Sequence, residues 1–202
     1  MIKDKNKRVA IFASYNKDNK IADHVVYYLK ALRKVVGDII FVSDNEMEKG
    51  ETEKLSGIVS KAICHRHGTY DFGSYHIGYS WALEHNLLDE AEEMVFVNDS
   101  CYGPVFPFEN VFDKMDDKPC DFWGLTDSYE TAHHLLSFFF VFRRNVFTSM
   151  PFHNFVSGFV RQISREYYVD LYEKKFTEFL ENNGFKSAVY IDIDEDTRGA
   201  LA

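Results

Sequence analysis

No Cys-x-x-Cys pair occurs in this chain, and its three cysteines stand apart at Cys64, Cys101 and Cys120. An odd, scattered set argues against a disulfide scaffold and a structural zinc site, and points to a reducing compartment. Neither Gly-x-Gly-x-x-Gly nor Gly-Lys-Ser/Thr is present. Their absence removes the P-loop and the dinucleotide fingerprint, and disfavours a nicotinamide-dependent dehydrogenase. Without a Gly-x-Ser-x-Gly nucleophile elbow, no Ser-His-Asp triad can be argued. Long apolar runs are also missing. The longest, Leu135 to Phe142, contains Ser137 and is far too short to span a bilayer. Behind the charged start Met1 to Arg8, the run Val9 to Ala13 is too short for a signal-peptide core. Positive charge is scarce, with 23 Lys and Arg against 32 Asp and Glu, a net charge of −9. Such a chain repels phosphate polymers instead of displacing their counterions, which argues against nucleic acid as a partner. A small anionic ligand is still allowed, because it needs only a local cluster of donors or a metal ion. The expected location is cytoplasmic, soluble or at most peripheral at the inner face of a membrane.

The chain has 202 residues, 46% hydrophobic and 27% charged, which is the balance of one globular domain and not of a disordered segment. No linker, repeat or low-complexity tract divides it. A single domain over 1–191 and a loose acidic tail over 192–202 are expected. Val9 to Ala13, Ile39 to Val42, Ala62 to Cys64 and Met94 to Val97 read as short buried strands. Between the first two, Ile21, Val25, Tyr28, Leu29 and Leu32 recur at helical spacing, and Phe72, Tyr75, Tyr79, Ala82 and Leu83 mark another helix before the fourth. Buried strands alternating with helices predict an α/β fold, a Rossmann-type, mostly parallel sheet flanked by helices. Further on, Cys120 to Gly124 reads as a strand near the sheet edge, Leu135 to Phe142 as one long strand, and Ala188 to Ile191 as a last one. Helices are expected from about Phe152 and Arg165, the last stopping at Asn183-Gly184.

Open parallel sheets bind ligands at the carboxyl ends of their strands. Four polar loops fall there: Ser14-Tyr15-Asn16, Ser43-Asp44-Asn45, Arg66 to Gly73, and Asn98-Asp99-Ser100. Asp99 directly follows an apolar strand, so a rigid core holds it. A carboxylate there can ligate Mg²⁺ or Mn²⁺ bridging a diphosphate, or it can cap the next turn by bonding its own backbone. Asp71 is a candidate N-cap for the following helix, Gly73 would let a ligand approach the backbone, and Arg66 can pair with phosphate. Glu173 borders an apolar stripe with Phe176 and Leu180, where a carboxylate can serve as general base or stay an ordinary solvated residue. His133 and His134 can bind metal or phosphate, or be structural. Trp123 and Tyr129 can stack on a sugar or fill core.

Several runs in order resemble rhamnan synthesis protein F. They are Tyr70-Asp-Phe-Gly-Ser-Tyr75, Val97-Asn-Asp-Ser-Cys-Tyr-Gly-Pro104, Cys120-Asp-Phe-Trp-Gly-Leu-Thr126, His134-Leu-Leu-Ser-Phe-Phe-Phe-Val-Phe-Arg143 and Tyr172-Glu-Lys-Lys-Phe-Thr177 followed by Gly184. The likeness covers the chain from about Arg8 to Ile191. That family is similar to inverting glycosyltransferases of the GT-A fold. The resemblance implies a glycosyltransferase of bacterial cell-surface polysaccharide assembly, with a nucleoside-diphosphate sugar as donor, typically dTDP-rhamnose, and a glycan or lipid-linked acceptor. By likeness, Asn98-Asp99-Ser100 stands at the metal motif, with Asp99 holding Mg²⁺ or Mn²⁺. Ser14, Tyr15, Asn16 and Asp44 stand where the nucleotide is held, Asp71 and Gly73 line the donor pocket, and Glu173 stands at the catalytic carboxylate. A binding module that keeps the nucleotide-sugar pocket without catalysis is the alternative.

Overall fold

A computed structural model describes residues 4–129, 133–162 and 164–192. Its main sheet has seven strands: β1 (Arg8–Ser14), β2 (Asp38–Ser43), β3 (Lys61–Cys64), β4 (Glu93–Asn98), β5 (Phe122–Gly124), β8 (Phe139–Arg143) and β9 (Ser187–Val189). A separate ribbon pairs β6 (Asp127–Ser128) with β7 (His134–Leu135). The order across the sheet is β3-β2-β1-β4-β8-β5-β9. β8 runs antiparallel to both its neighbours, β4 and β5, and every other pairing is parallel. The expected α/β, Rossmann-type, mostly parallel sheet is therefore the fold.

Continuous apolar strands arise because both faces of the sheet are covered. Val9, Ile11 and Ala13 of β1 face one apolar layer, and Ala10 and Phe12 face the other. The first layer is closed by α2 (Tyr70–Glu84), α5 (Met150–Ser157) and α7 (Lys174–Asn182), the second by α1 (Asp23–Leu32) and α3 (Phe108–Asp116). Two short helices, α4 (Arg144–Phe147) and α6 (Arg165–Tyr168), complete the set. α2 lies close against the sheet at Gly78, where a Cβ would stand 2.4 Å from Ile11 Cγ2 and 3.2 Å from Val42 Cγ2.

Three elements differ from expectation. The apolar run from Leu135 is broken in two, because residues 136–138 turn between the ribbon and the sheet. Their backbone is satisfied across elements: Leu136 N–H donates to Thr126 O, Phe138 O accepts from Asn98 N–H, and Ser137 O accepts from the Tyr75 hydroxyl. α3 is an amphipathic helix whose buried Phe108, Val111, Phe112 and Met115 carry helical spacing that the neighbouring Pro and Gly masked. Finally, Glu173 does not lie in α7. It ends a π-helical turn, Val169–Glu173, that joins α6 to α7. The acidic tail lies outside the described residues from 193 onward.

Candidate functional site

The chain runs outward from β1 to β2 and β3, then returns to β4 on the other side of β1. That reversal opens a crevice between the carboxyl ends of β1 and β4, the place where a ligand can enter such a sheet. Ser14 ends β1 and Asn98 ends β4, and the two ends are joined directly. The Ser14 hydroxyl donates to Asp99 Oδ2 at 2.6 Å, and Tyr15 N–H donates to the same oxygen at 3.2 Å.

From there the polar loops close into a ring. Asp44 N–H donates to Ser14 O at 3.0 Å. Asp44 Oδ1 accepts from the backbone N–H groups of His67 and Gly68 at 2.7 and 2.8 Å, tying the end of β2 to the loop after β3. That loop runs into α2. Asn98 Nδ2 of β4 then donates to Asp71 Oδ2 at 2.7 Å, and Asn98 Oδ1 accepts from Ser100 N–H at 3.0 Å. Loops separated by up to 85 residues in sequence are thus locked around one crevice.

Asp71 occupies the first turn of α2, and the N-cap position belongs to Thr69. Asp71 is therefore free to reach across to Asn98. Burial, followed by the negative charge of Asp99, pushes its carboxyl up to about 7, against the hydrogen bond from Asn98. The charge of Glu173 acts in the same direction. Burial also raises the Asp99 carboxyl above the usual range, opposed by the donors Ser14 and Tyr15. At the rim, the Arg66 guanidinium lies 5.5 Å from the centre of the exposed Tyr15 ring. Glu173 lines a cavity together with Asp71, Tyr70, Phe72 and Ser137.

The expectation for Gly73 changes. The missing side chain of Gly73 does not open a path for a ligand, because a Cβ there would fall 1.8 Å from Thr69 Oγ1. Glycine is required so that Thr69 and His67, whose Oγ1 and Nδ1 are 2.5 Å apart, can fold against α2. His134 is buried in β7 on the ribbon, beside Leu135, whose N–H donates to Thr177 Oγ1.

Sequence reasoning placed Asn45 in a polar loop but gave it no role of its own. It is fully buried, and its amide accepts from Asn16 N–H at 2.8 Å while donating to Asn16 O at 2.6 Å and Asn19 Oδ1 at 2.9 Å. It holds the loop after β1 in place. Its place in the polar loop directly after β2 was the available signal.

A family model described as rhamnan synthesis protein F matches residues 39–201. The chain belongs to that family. Among curated proteins, this family member is similar to virulence protein VirA of Vibrio anguillarum, with 26% identity over 191 residues. That alignment covers 92% of this chain and 60% of VirA, so the chain spans well under the whole length of that relative. Among solved structures it is similar to a 4-diphosphocytidyl-2C-methyl-D-erythritol synthase, with a TM-score of 0.56 at 10% identity, covering 98% of this chain and 97% of the other. The corresponding synthase of Anaerococcus prevotii gives 0.52 at 13% identity, with the same coverages. At these identities the likeness is one of fold.

Among the described residues, no group of three or more His, Cys, Asp and Glu could hold a metal ion by itself. Asp99 offers one carboxylate, and its Oδ2 already accepts two hydrogen bonds. A hard divalent cation that keeps several waters and takes substrate phosphates needs only one or two protein carboxylates. The residues therefore fit a cation shared with a diphosphate and do not fit an all-protein cage.

Proposed function

We propose that this protein is a glycosyltransferase that moves a sugar from a nucleoside-diphosphate donor to a hydroxyl of a glycan or lipid-linked acceptor, with inversion at the anomeric carbon. The observation that carries the reading is the ring of hydrogen bonds that ties Asp99, Asp44 and Asp71 together at the carboxyl ends of the parallel strands. The donor we propose is dTDP-rhamnose; what supports a rhamnosyl donor is the family description, which names rhamnan synthesis. In this reading Ser14, Tyr15, Asn16 and Asp44 hold the nucleoside, and Asn98, Asp99 and Ser100 lie at the diphosphate. Arg66, stacked with Tyr15 at the rim, pairs with phosphate oxygens. Asp99 would hold Mg²⁺ or Mn²⁺ jointly with the diphosphate, and the cation would supply charge neutralisation on the leaving group.

Glu173 takes the proton of the acceptor hydroxyl. The hydroxyl oxygen forms the new bond to the anomeric carbon as the bond from that carbon to the diphosphate breaks. What supports Glu173 in this role is its shared cavity with Asp71, which is hydrogen-bonded to the strand end that carries Asp99.

The test is release of nucleoside diphosphate from dTDP-rhamnose and other nucleotide sugars, followed with and without acceptor. Glu173→Gln should lower turnover by about 10²–10⁴-fold while nucleotide affinity stays within a few-fold of the parent. A binding module would take up the nucleotide and release none. Equal turnover of parent and Glu173→Gln would remove Glu173 from the mechanism.

A further inference from the structure

Large apolar side chains left in water gather at one end of the sheet. Tyr15, Tyr70 and Ile191 are exposed in the segments that leave β1, β3 and β9 at their carboxyl ends. Met150, at the start of α5, is exposed at the other end. The sharpest feature is the segment that joins β4 to α3. In it Tyr102 is 80% exposed, Val105 84% and Phe106 74%. No charged residue stands between Asp99 and Glu109, in a chain that is 27% charged.

Both ends of this segment are fixed. The Tyr27 hydroxyl donates to Pro104 O at 3.2 Å, and the Tyr102 ring lies 4.4 Å from the His24 ring, so α1 holds the first half. Pro107 is the N-cap residue of α3. Phe108 behind it is buried against Tyr28 and Phe139, with ring centroids 5.3 and 5.5 Å away. Val105 and Phe106 are thus carried outward on a short anchored turn and not on a slack loop. An apolar tip of this kind marks a contact with a protein or a membrane. Three features choose the membrane. The tip projects as a wedge. Tyr102 and Tyr27 flank it, and their polar-ended rings suit the headgroup level. Its exposed neighbours come from separate loops at the same end, which a planar partner meets together. With a net charge of −9 the chain gains nothing from anionic lipid, so the driving force is apolar burial.

We propose that the segment from Tyr102 to Phe106 docks the protein on a lipid surface. Val105 and Phe106 enter the boundary between headgroups and acyl chains, and Tyr102 and Tyr27 stay at the headgroups. The crevice end of the sheet then faces the membrane. The inference goes beyond the transferase reading and stands without it, because exposure and anchoring carry it. Joined to that reading, it selects the lipid-linked acceptor over a free glycan.

Flotation with vesicles tests it on the full chain without nucleotide, using phosphatidylcholine alone or mixed with phosphatidylglycerol. The parent should float with phosphatidylcholine, and phosphatidylglycerol should not strengthen binding. The double variant Val105→Ser, Phe106→Ser should melt with the parent, because both side chains are exposed. It should bind vesicles at least about tenfold more weakly. Met150→Ser, at the other end, should bind as the parent does. The indole introduced by Phe106→Trp should shift its emission to shorter wavelength when vesicles are added. No flotation of the parent, equal flotation of the double variant, or binding that needs phosphatidylglycerol would each overturn the proposal. An equal loss in Met150→Ser, or no emission shift, would do the same. So would a parent dimer in analytical ultracentrifugation that the double variant lacks, which would give the patch to a second copy. Melting with nucleoside diphosphates reports on the transferase reading separately, so either inference can fail without the other.

Discussion

Asp71 shows how much one residue's setting can alter its chemistry. In the unfolded chain its carboxyl has an ordinary acidic pKa. In the fold, burial and the charges of Asp99 and Glu173 push it up to about 7. A folded pKa above the unfolded one means that the native state holds the proton more tightly. Stability is then full at low pH and is lost as pH rises through the interval from about 4 to about 7. Asp71→Asn keeps an oxygen for the Asn98 amide and cannot ionise. Melting curves of parent and variant should therefore run together near pH 4, diverge with the variant more stable as pH rises towards 7, and stay parallel above it. Parallel curves throughout would mean that Asp71 is not held in this environment. At this scale the sequence was most informative where polar residues follow an apolar strand: Ser14, Asp44, Asn98 and Asp99 are all drawn into the hydrogen-bonded ring at the strand ends. It was least informative for side chains whose partners are backbone groups far along the chain. Asn45, which grips the backbone of Asn16 29 positions away, is of this kind.

Among elements, the buried strands and α1 and α2 were legible because period and length agree with burial on both faces of the sheet. The break at residues 136–138 was not, since apolar residues continue through it and only Ser137 differs. Nor was the π turn before α7, because Tyr168, Tyr172, Phe176 and Leu180 recur every four residues straight through it, as in an ordinary helix. The fit of α2 to the sheet gives a prediction at this scale. Gly78→Ala would gain roughly 1 kcal/mol of helix propensity. The added methyl meets Ile11 Cγ2 and Val42 Cγ2 in a two-sided core, and overpacking of that sort costs about 1–3 kcal/mol. Overpacking should win. Urea unfolding should show a lower midpoint with an unchanged slope, whereas a midpoint at or above the parent would mean that α2 stands farther from β1.

The whole molecule separates its anchoring from its chemistry. At the amino end of β1, opposite the crevice, the Arg8 guanidinium is buried between Glu93 at 2.6 Å and Asp116 at 2.8 Å, over the Phe112 ring. This cluster ties β1, β4 and α3 together. Removing the cation takes a buried ion-pair partner from each carboxylate, while Arg143 stays 4.0 Å from Glu93; breaking a buried pair costs about 3–5 kcal/mol. Arg8→Met should lower denaturant stability by that order, while nucleotide affinity measured below the unfolding range stays near the parent's. The anchored end thereby allows the polar loops at the other end to be arranged for a ligand.

The central claim is that the Asp99 side of the β1–β4 crevice binds the diphosphate of a nucleotide sugar. Its most direct measurement is ligand-linked melting with dTDP, UDP, GDP and CDP, with and without Mn²⁺, on the parent and on Asp99→Ala. At about a hundredfold excess over Kd, a ligand bound only by the native state raises the melting temperature of a domain this size by about 5–10 °C. Such a rise is predicted for at least one nucleotide with the parent, together with its loss in Asp99→Ala. No rise with any nucleotide, or an equal rise in both proteins, would contradict the claim.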